Sequence, residues 1–307
     1  MTDTMPSNAE LEAIRPPRSQ WWDVWDQFKT HKGALLGAGF FVLVILAVVA
    51  GPFLWHIDPT YIDIRARNQG PSLAHPFGTD QLGRDTFARM LAGGRVSVAV
   101  GVTAMLLSLV LGTAVGVLAG YFKRLDGPLM RLTDLFLALP LLPLLLVIIM
   151  LFRDTLRAAF GPEGGIFILI VFVIGITSWM QTARIVRGDV LALKEREFVL
   201  AARSIGTPPR RMIRRHILPN VLSPIMVSAT LGIANAIITE SALSFLGLGF
   251  PSDFPTWGRL LFDATDYLQQ YPERVLWPGL AISLTVLSVN YIGDGLRDAL
   301  DPRIRGR

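Results

Sequence analysis

Few residues in this sequence have the types and spacing that covalent chemistry requires. The chain has no cysteine, which excludes disulfides, thiolate metal sites and cysteine nucleophiles. Its four histidines, His31, His56, His75 and His216, are scattered along the chain and do not have the spacing of one metal site. Phosphate-binding G-x-x-x-x-G-K-[ST], H-E-x-x-H and G-x-S-x-G motifs are all missing. We therefore expect no catalytic residue, metal or cofactor on this chain.

Two polar residues stand out because they lie in or beside long apolar stretches. Glu240 follows one such stretch directly, and Asn290 lies inside another. A polar or charged group at membrane depth is costly, so it is a candidate for function by default. Two roles stay open for each: lining a cavity and contacting what passes through it, or making hydrogen bonds that fix a helix near an outer gate.

The elements that must position these residues are membrane helices. Hydrophobic residues make up 51% of the 307 residues and charged residues only 17%, against about 25% charged in ordinary soluble domains. Crossing a bilayer takes about 20 apolar residues. Six stretches without Asp, Glu, Lys or Arg approach or exceed that length: 33–57, 96–122, 135–152, 164–183, 216–239 and 275–293. The sequence thus predicts an all-α polytopic protein with six transmembrane helices, the fifth of them beginning near Val221 after Pro219.

The basic residues predict the orientation of these helices. With six spans, both termini share a side with loops 123–134 and 184–215, and this side holds 20 of the 29 Lys and Arg residues. Positive residues concentrate on the cytoplasmic side, so both termini are expected in the cytoplasm. The same rule accounts for the net charge of +5 without nucleic-acid binding.

We predict one unit with three parts. Residues 1–33 form a cytoplasmic segment, in which Trp21, Trp22, Trp25 and Phe28 indicate an interfacial helix or an aromatic belt. Residues 34–95 hold the first span and an extracytoplasmic loop. Residues 96–307 form the core, with five spans and the cytoplasmic loop 184–220.

Loop 184–220 is predicted to fold as helix, sharp turn, helix. Apolar residues from Val190 to Ile205 recur near helical spacing. Gly206 is a helix stop, Thr207 a candidate N-cap, and the prolines after it suit the first turn of a second helix. That second helix is expected to end at Leu218-Pro219. A basic loop of this kind could lie on anionic lipid or dock on a partner protein.

This loop resembles the EAA loop of ABC-importer permeases. The resemblance is carried by EFVLAARSIG at 197–206 and RHILPN at 215–220. It implies docking in a groove of an ATP-binding subunit through Glu197, Phe198, Leu200, Ala201, Ala202, Arg203, Gly206, Leu218 and Pro219. This sequence departs from the family pattern at Leu200, where the glutamate that names the loop is expected, so the contacts of that glutamate are not assigned to Leu200.

Three further motifs resemble the C-type permeases of dipeptide, oligopeptide and nickel importers. They are HPFGTDQLGRD at 75–85, ESALSFLGLG at 240–249 and GDGLRDALDP at 293–302. In the first, Gly78-Thr79 is expected to turn the chain and cap a short helix. Asp80/Arg84 and Asp85/Arg89 are expected to pair at i,i+4.

The resemblance implies the type I ABC importer permease fold and a set of partners. These are a second, homologous permease, two ATP-binding subunits that carry ATP and magnesium, an external substrate-binding protein, and the lipid of a bacterial inner membrane. The expected cargo is a di- or oligopeptide. Nickel or another small solute remains an alternative, as does the separate class of ion-coupled secondary transporters, which would require charged relays within the bundle.

Overall fold

The computed structural model describes residues 20–300, without the side chains of Gln20, Trp21 and Asp23. Within this range the regular elements are helices, and extended backbone pairs only in an isolated bridge between Thr79 and Asp85. The all-α prediction is confirmed. The α-helices are α1 Gln20–Thr30, α2 Lys32–Leu54, α3 Thr86–Tyr121, α4 Lys123–Ala138, α5 Leu141–Phe160, α6 Pro162–Ile176, α7 Trp179–Lys194, α8 Glu197–Ser204, α9 Pro209–Met212, α10 Leu222–Phe245, α11 Trp257–Thr265 and α12 Glu273–Leu300.

Five helical stretches of the described chain are long and apolar enough to cross a membrane. They are α2, α3, α6 with α7, the stretch Pro209–Phe245 that ends in α10, and α12. Each covers all or nearly all of one predicted apolar run. The run 216–239 begins its regular α-helix at Leu222, next to the predicted Val221.

The third predicted run, 135–152, does not form one straight helix. The chain bends by 89° between α4 and α5, so the count reaches six only if this bent pair is one span. The break lies at Leu139-Pro140, where Leu139 is extended because the proline ring disfavours helical backbone in the residue before it. Helix α5 then continues past the predicted end through Arg153, which donates a hydrogen bond to the carbonyl of Gly249 at 3.2 Å.

Helix α3 is the central helix of the bundle, packing against α7, α10 and α6. Its N-cap is Asp85, whose carboxylate accepts a hydrogen bond from the Ala88 amide at 2.6 Å, so the helix begins ten residues before the predicted run. Gly112, Gly116 and Gly120 form a stripe that faces α7. A Cβ atom on Gly116 would lie 2.7 Å from the carbonyl oxygen of Ala183, so the two backbones touch directly.

The loop before α3, predicted to be extracytoplasmic, is held by buried charges. Asp80 accepts hydrogen bonds from Arg84 and Arg89, both at 2.7 Å, which confirms the Asp80/Arg84 pair. The Asp85/Arg89 pair is wrong: Asp85 caps α3 and contacts His75 at 2.7 Å instead. Tertiary packing, which brings Arg89 to Asp80, overrides local helical spacing here.

The turn prediction for this loop is only partly correct. Gly78 turns the chain with a φ of +73°, a conformation that glycine adopts readily. Thr79, however, caps no helix. Its hydroxyl donates to the carbonyl of Ala66 and accepts from the Gln69 amide, which closes the loop on itself.

The predicted N-terminal helix is present as α1. Phe28 and Val24 are buried in a cluster with Ala34 and Ala299, so α1 packs on the ends of α2 and α12. Trp22 and Trp25 are exposed. A location at the lipid interface stays a prediction, and the side chain of Trp21 lies outside the described residues.

Candidate functional site

The loop between α7 and α10 folds as the predicted helix, turn and helix. Helix α8 ends at Ser204, and Gly206 follows with a φ of +77°. The Gly206 amide donates to the Arg203 carbonyl at 3.0 Å, and the Thr207 amide donates to the Ala202 carbonyl at 3.1 Å. This closure satisfies carbonyls at the helix end. The N-cap of α9 is Pro208 rather than the predicted Thr207.

The return arm from α9 to α10 stays helical in changing forms. Helix α9 is followed by a π-helical turn at Ile213–Ile217 and a 3₁₀ turn at Leu218–Val221. The second helix was predicted to end at Leu218-Pro219. The helix type does change there, but the helical backbone is not interrupted. Proline has no amide hydrogen, so Pro219 cannot donate the i→i−4 bond of a regular α-helix.

An apolar cluster fixes α8 to the membrane helices. Val199 and Ala202 are buried together with Val190 of α7 and with Met212 and Ile217 of the return arm. The Lys194 ammonium also donates a hydrogen bond to the Gly120 carbonyl at the end of α3, at 2.8 Å. Because these contacts join α8 to α7 and to the return arm, a displacement of α8 must move both of them.

The opposite face of α8 is apolar but exposed. It carries Phe198, Leu200 and Ala201, and Ile205 at the tip of the turn is 84% exposed. Glu197 and Arg203, also exposed, flank this patch. Contiguous exposed apolar side chains, rimmed by polar ones, mark protein interaction sites. The structure thus places a predicted docking surface where a partner can reach it.

Glu240 is completely buried between α10, α3 and α11. Its carboxylate accepts hydrogen bonds from the hydroxyls of Ser97, at 3.0 Å, and Ser244, at 2.7 Å. Ser97 in turn accepts the Trp257 amide of α11 at 3.2 Å. Asn290 lies apart on α12, half-buried and without a side-chain hydrogen bond to any described residue. The structure does not bring these two candidates together.

Sequence reasoning missed a polar cleft between α3, α7 and α10. The cleft has a volume of about 50 Å³ and includes Gln181, Asn235 and Ser228. The amides of Gln181 and Asn235 are exposed on helices of membrane-spanning length, where contact with lipid would be costly. Both lie inside predicted apolar runs. Those runs were defined only by the absence of charged residues, so uncharged amides such as these did not stand out.

A larger cleft opens at the end of the bundle that is predicted to face outward. It has a volume of about 720 Å³ and lies between the end of α2 and the first turns of α3 and α6. Arg95 and the acids Asp58, Glu163 and Asp253 line it, with Phe167 among its apolar wall residues. Neither Glu240 nor Asn290 lines either cleft.

These features define a polytopic membrane protein in which one face of α8 is buried against the bundle and the other is apolar and exposed. The family model described as the inner membrane component of binding-protein-dependent transport systems matches residues 108–306. A second model, the N-terminal TM domain of oligopeptide transport permease C, matches residues 19–71. The chain therefore belongs to the inner-membrane components of binding-protein-dependent transport systems, as the motifs predicted. It is a multi-pass permease subunit of a bacterial ABC importer.

Named relatives align along nearly the whole chain. The dipeptide transport system permease protein DppC of Alkalihalophilus pseudofirmus is 39% identical over 301 residues, 98% of this chain and 94% of the relative. The oligopeptide transport system permease protein OppC of Bacillus subtilis is 39% identical over 289 residues, covering 94% and 91%. The DppC protein of Bacillus subtilis is 40% identical over 303 residues, covering 97% and 91%.

Proposed function

We propose that this permease imports di- or oligopeptides, using ATP that partner subunits hydrolyse. The peptide cargo is supported by the names of the dipeptide and oligopeptide permeases to which the chain is similar. No observation favours nickel or an ion-coupled mechanism. ATP and magnesium belong to the partners, and this chain contributes no catalytic residue.

The exposed apolar face of α8 is the observation that carries the coupling mechanism. A partner ATPase that closes on ATP binding would push this face, and the buried side of α8 would pass the displacement to α7 and α10. Leu200 contributes apolar contact area and none of the contacts of a glutamate. The bundle would then change from inward-facing to outward-facing, and hydrolysis would reset it.

The proposed assembly contains this chain, a second homologous permease, two ATP-binding subunits and an external binding protein. The polar cleft at Gln181 and Asn235 would face the second permease and line the pathway, because exposed amides at this depth favour a protein or water-filled surface over lipid. Glu240 would fix the outer gate through its hydrogen bonds. Both termini would be cytoplasmic.

The proposal is tested by purifying the tagged chain gently from its own host and identifying the proteins that accompany it. We expect an ATPase subunit and a second permease. Gly206→Glu should lose the ATPase and keep the permease, because a side chain is strained at this left-handed backbone position. Gly127→Glu is the matched control, since a Cβ atom added to Gly127 on α4 would meet no neighbouring atom within 4 Å. A chain that purifies alone, and transports solute in vesicles without ATP, contradicts the proposal.

A further inference from the structure

The return arm of the loop carries arginines around an open cleft, which we call the arginine cleft. Its volume is about 560 Å³, and its lining consists of Arg210, Arg211, Arg214, Arg215 and Pro219. All four arginine side chains are exposed. The π-helical turn Ile213–Ile217 lies in the middle of this segment. Such turns change the register of side chains and are frequent at functional sites.

The positive charge of the cleft is not balanced within the described part of the chain. None of the four guanidinium groups forms an ion pair or hydrogen bond there, whereas two arginines of α7 pair with aspartates of α4. Arg210 and Arg214 are four residues apart, as are Arg211 and Arg215, and like charges at this spacing destabilise a helix. A bound anion would remove this repulsion.

The cleft lies within reach of a membrane surface. Arg215 and Arg214 precede Leu222, where α10 begins, by seven and eight residues. At the rise of an α-helix this separation is about 10–12 Å. The headgroup layer is roughly 5–7 Å deep on each side of the hydrocarbon core, and arginine side chains extend toward it from below. The end of the cleft nearest α10 can therefore meet lipid phosphates.

We propose that the arginine cleft binds the phosphodiester of an anionic lipid headgroup, such as that of phosphatidylglycerol. The planar fork of arginine matches two phosphate oxygens at once. Basic pockets beside membrane helices on the cytoplasmic side are known headgroup sites. The lining also suits an anion better than a protein surface, because Pro219 is its one apolar residue, whereas the exposed face of α8 is apolar.

The test uses the full chain, purified in detergent and titrated with short-chain phosphatidylglycerol, short-chain phosphatidylcholine or inorganic phosphate. Binding is followed by the midpoint of thermal unfolding. We expect phosphatidylglycerol alone to raise the midpoint at low concentration. Arg214→Gln with Arg215→Gln should weaken this binding by about tenfold or more, since each basic residue near an anionic surface contributes substantially to the attraction.

A matched variant removes the same charge elsewhere. Arg124→Gln with Arg131→Gln changes two exposed arginines of α4 outside the cleft, and we expect it to bind phosphatidylglycerol as the unchanged chain does. Arg214→Lys with Arg215→Lys keeps the charge but loses the fork, and should give an intermediate affinity even if the Gln variant folds poorly.

Three results would overturn the proposal. Inorganic phosphate that binds as tightly as the lipid would make this a site for free anions. An unchanged lipid affinity in the Arg214/Arg215 variants would place the lipid elsewhere. If the same variants also lose the ATPase when the tagged chain is purified from its host, the cleft is part of the ATPase contact.

Discussion

At the scale of single residues, Glu240 joins three helices through hydroxyl groups. Its carboxylate accepts from Ser97 of α3 and Ser244 of α10, and Ser97 also binds the first amide of α11. A buried acid with satisfied hydrogen bonds holds its neighbours in one arrangement, whereas an unsatisfied one is costly. This geometry favours a packing role over contact with cargo.

Replacing Glu240 should therefore change stability first. We expect Glu240→Ala to lower the free energy of unfolding by about 3 kcal/mol, because it leaves a cavity and two buried hydroxyls without their acceptor. The midpoint of thermal unfolding in detergent measures the change. Thr239→Ala is the control, since that hydroxyl bonds only to its own helix, at the Asn235 carbonyl. Equal midpoints for the two variants would exclude the packing role.

Contacts between side chains that are far apart along the chain could not be predicted from the sequence. The partners of Asp80 and Arg84 could be predicted because they lie four residues apart. The partners of Arg89 could not, since Asp80 is nine residues earlier and Asp263 lies far along the chain on α11, at 3.5 Å. The exposed amide of Gln181 was readable as a polar interruption of an apolar run, but only the fold places it beside Asn235.

At the scale of elements, buried ion pairs hold the loop before α3 against the bundle. The Asp80 carboxylate accepts hydrogen bonds from the guanidinium groups of Arg84 and Arg89. Arg89 also donates a hydrogen bond to the Ser252 carbonyl, at 3.0 Å, in the segment before α11. Arg274 of α12 donates to the Thr79 carbonyl at 2.6 Å. The loop thus connects α3, α11 and α12 on one side of the protein.

Removing the shared acid should loosen this connection. We expect Asp80→Ala to cost about 3–5 kcal/mol, because it leaves Arg84 and Arg89 buried without their carboxylate. The loop should also become sensitive to proteases added on the extracytoplasmic side. Asp58→Ala, at an exposed aspartate whose side chain accepts hydrogen bonds from Thr60, should cost less than about 1 kcal/mol. Similar losses for both variants would show that the buried pairs add no stability.

The contact between α3 and α7 depends on the absence of side chains. We expect Gly116→Ala to destabilise the protein by about 2 kcal/mol, since the added methyl group meets the Ala183 carbonyl and Val186. Gly39→Ala on α2, where a Cβ meets no atom within 4 Å, is the control and should be neutral or slightly stabilising. Thermal unfolding in detergent separates the two, and an unchanged midpoint for Gly116→Ala would contradict the close packing.

The elements differ in how far the sequence predicts them. Five apolar runs became helices because length and hydropathy together leave few alternatives in a membrane. The bend at Leu139-Pro140 has a sequence signal, because the residue before a proline disfavours helical backbone. It was missed because the run was defined only by the absence of charged residues, and that run continues across the bend. The π turn has no local sequence signal, and the return arm that contains it packs on α7 and α8.

At the scale of the whole molecule, the orientation rests on the distribution of basic residues. The chain has no native cysteine, so single cysteines can report it directly. We expect Gly127→Cys, at an exposed position of α4 in the predicted cytoplasmic loop 123–134, to react with a membrane-impermeant thiol reagent only from the cytoplasm. Leu73→Cys, at a fully exposed side chain in the loop before α3, should react only from outside. Reversed labelling would invert the predicted topology.

In the proposed function, α8 couples this permease to ATP hydrolysis for peptide import. The most direct measurement is uptake of a labelled dipeptide by vesicles that contain the complete importer, with its binding protein outside and ATP inside. We predict uptake that requires both ATP and the binding protein, that Gly206→Glu abolishes, and that Gly127→Glu leaves intact. Uptake that continues without ATP, or that Gly206→Glu leaves unchanged, would contradict it.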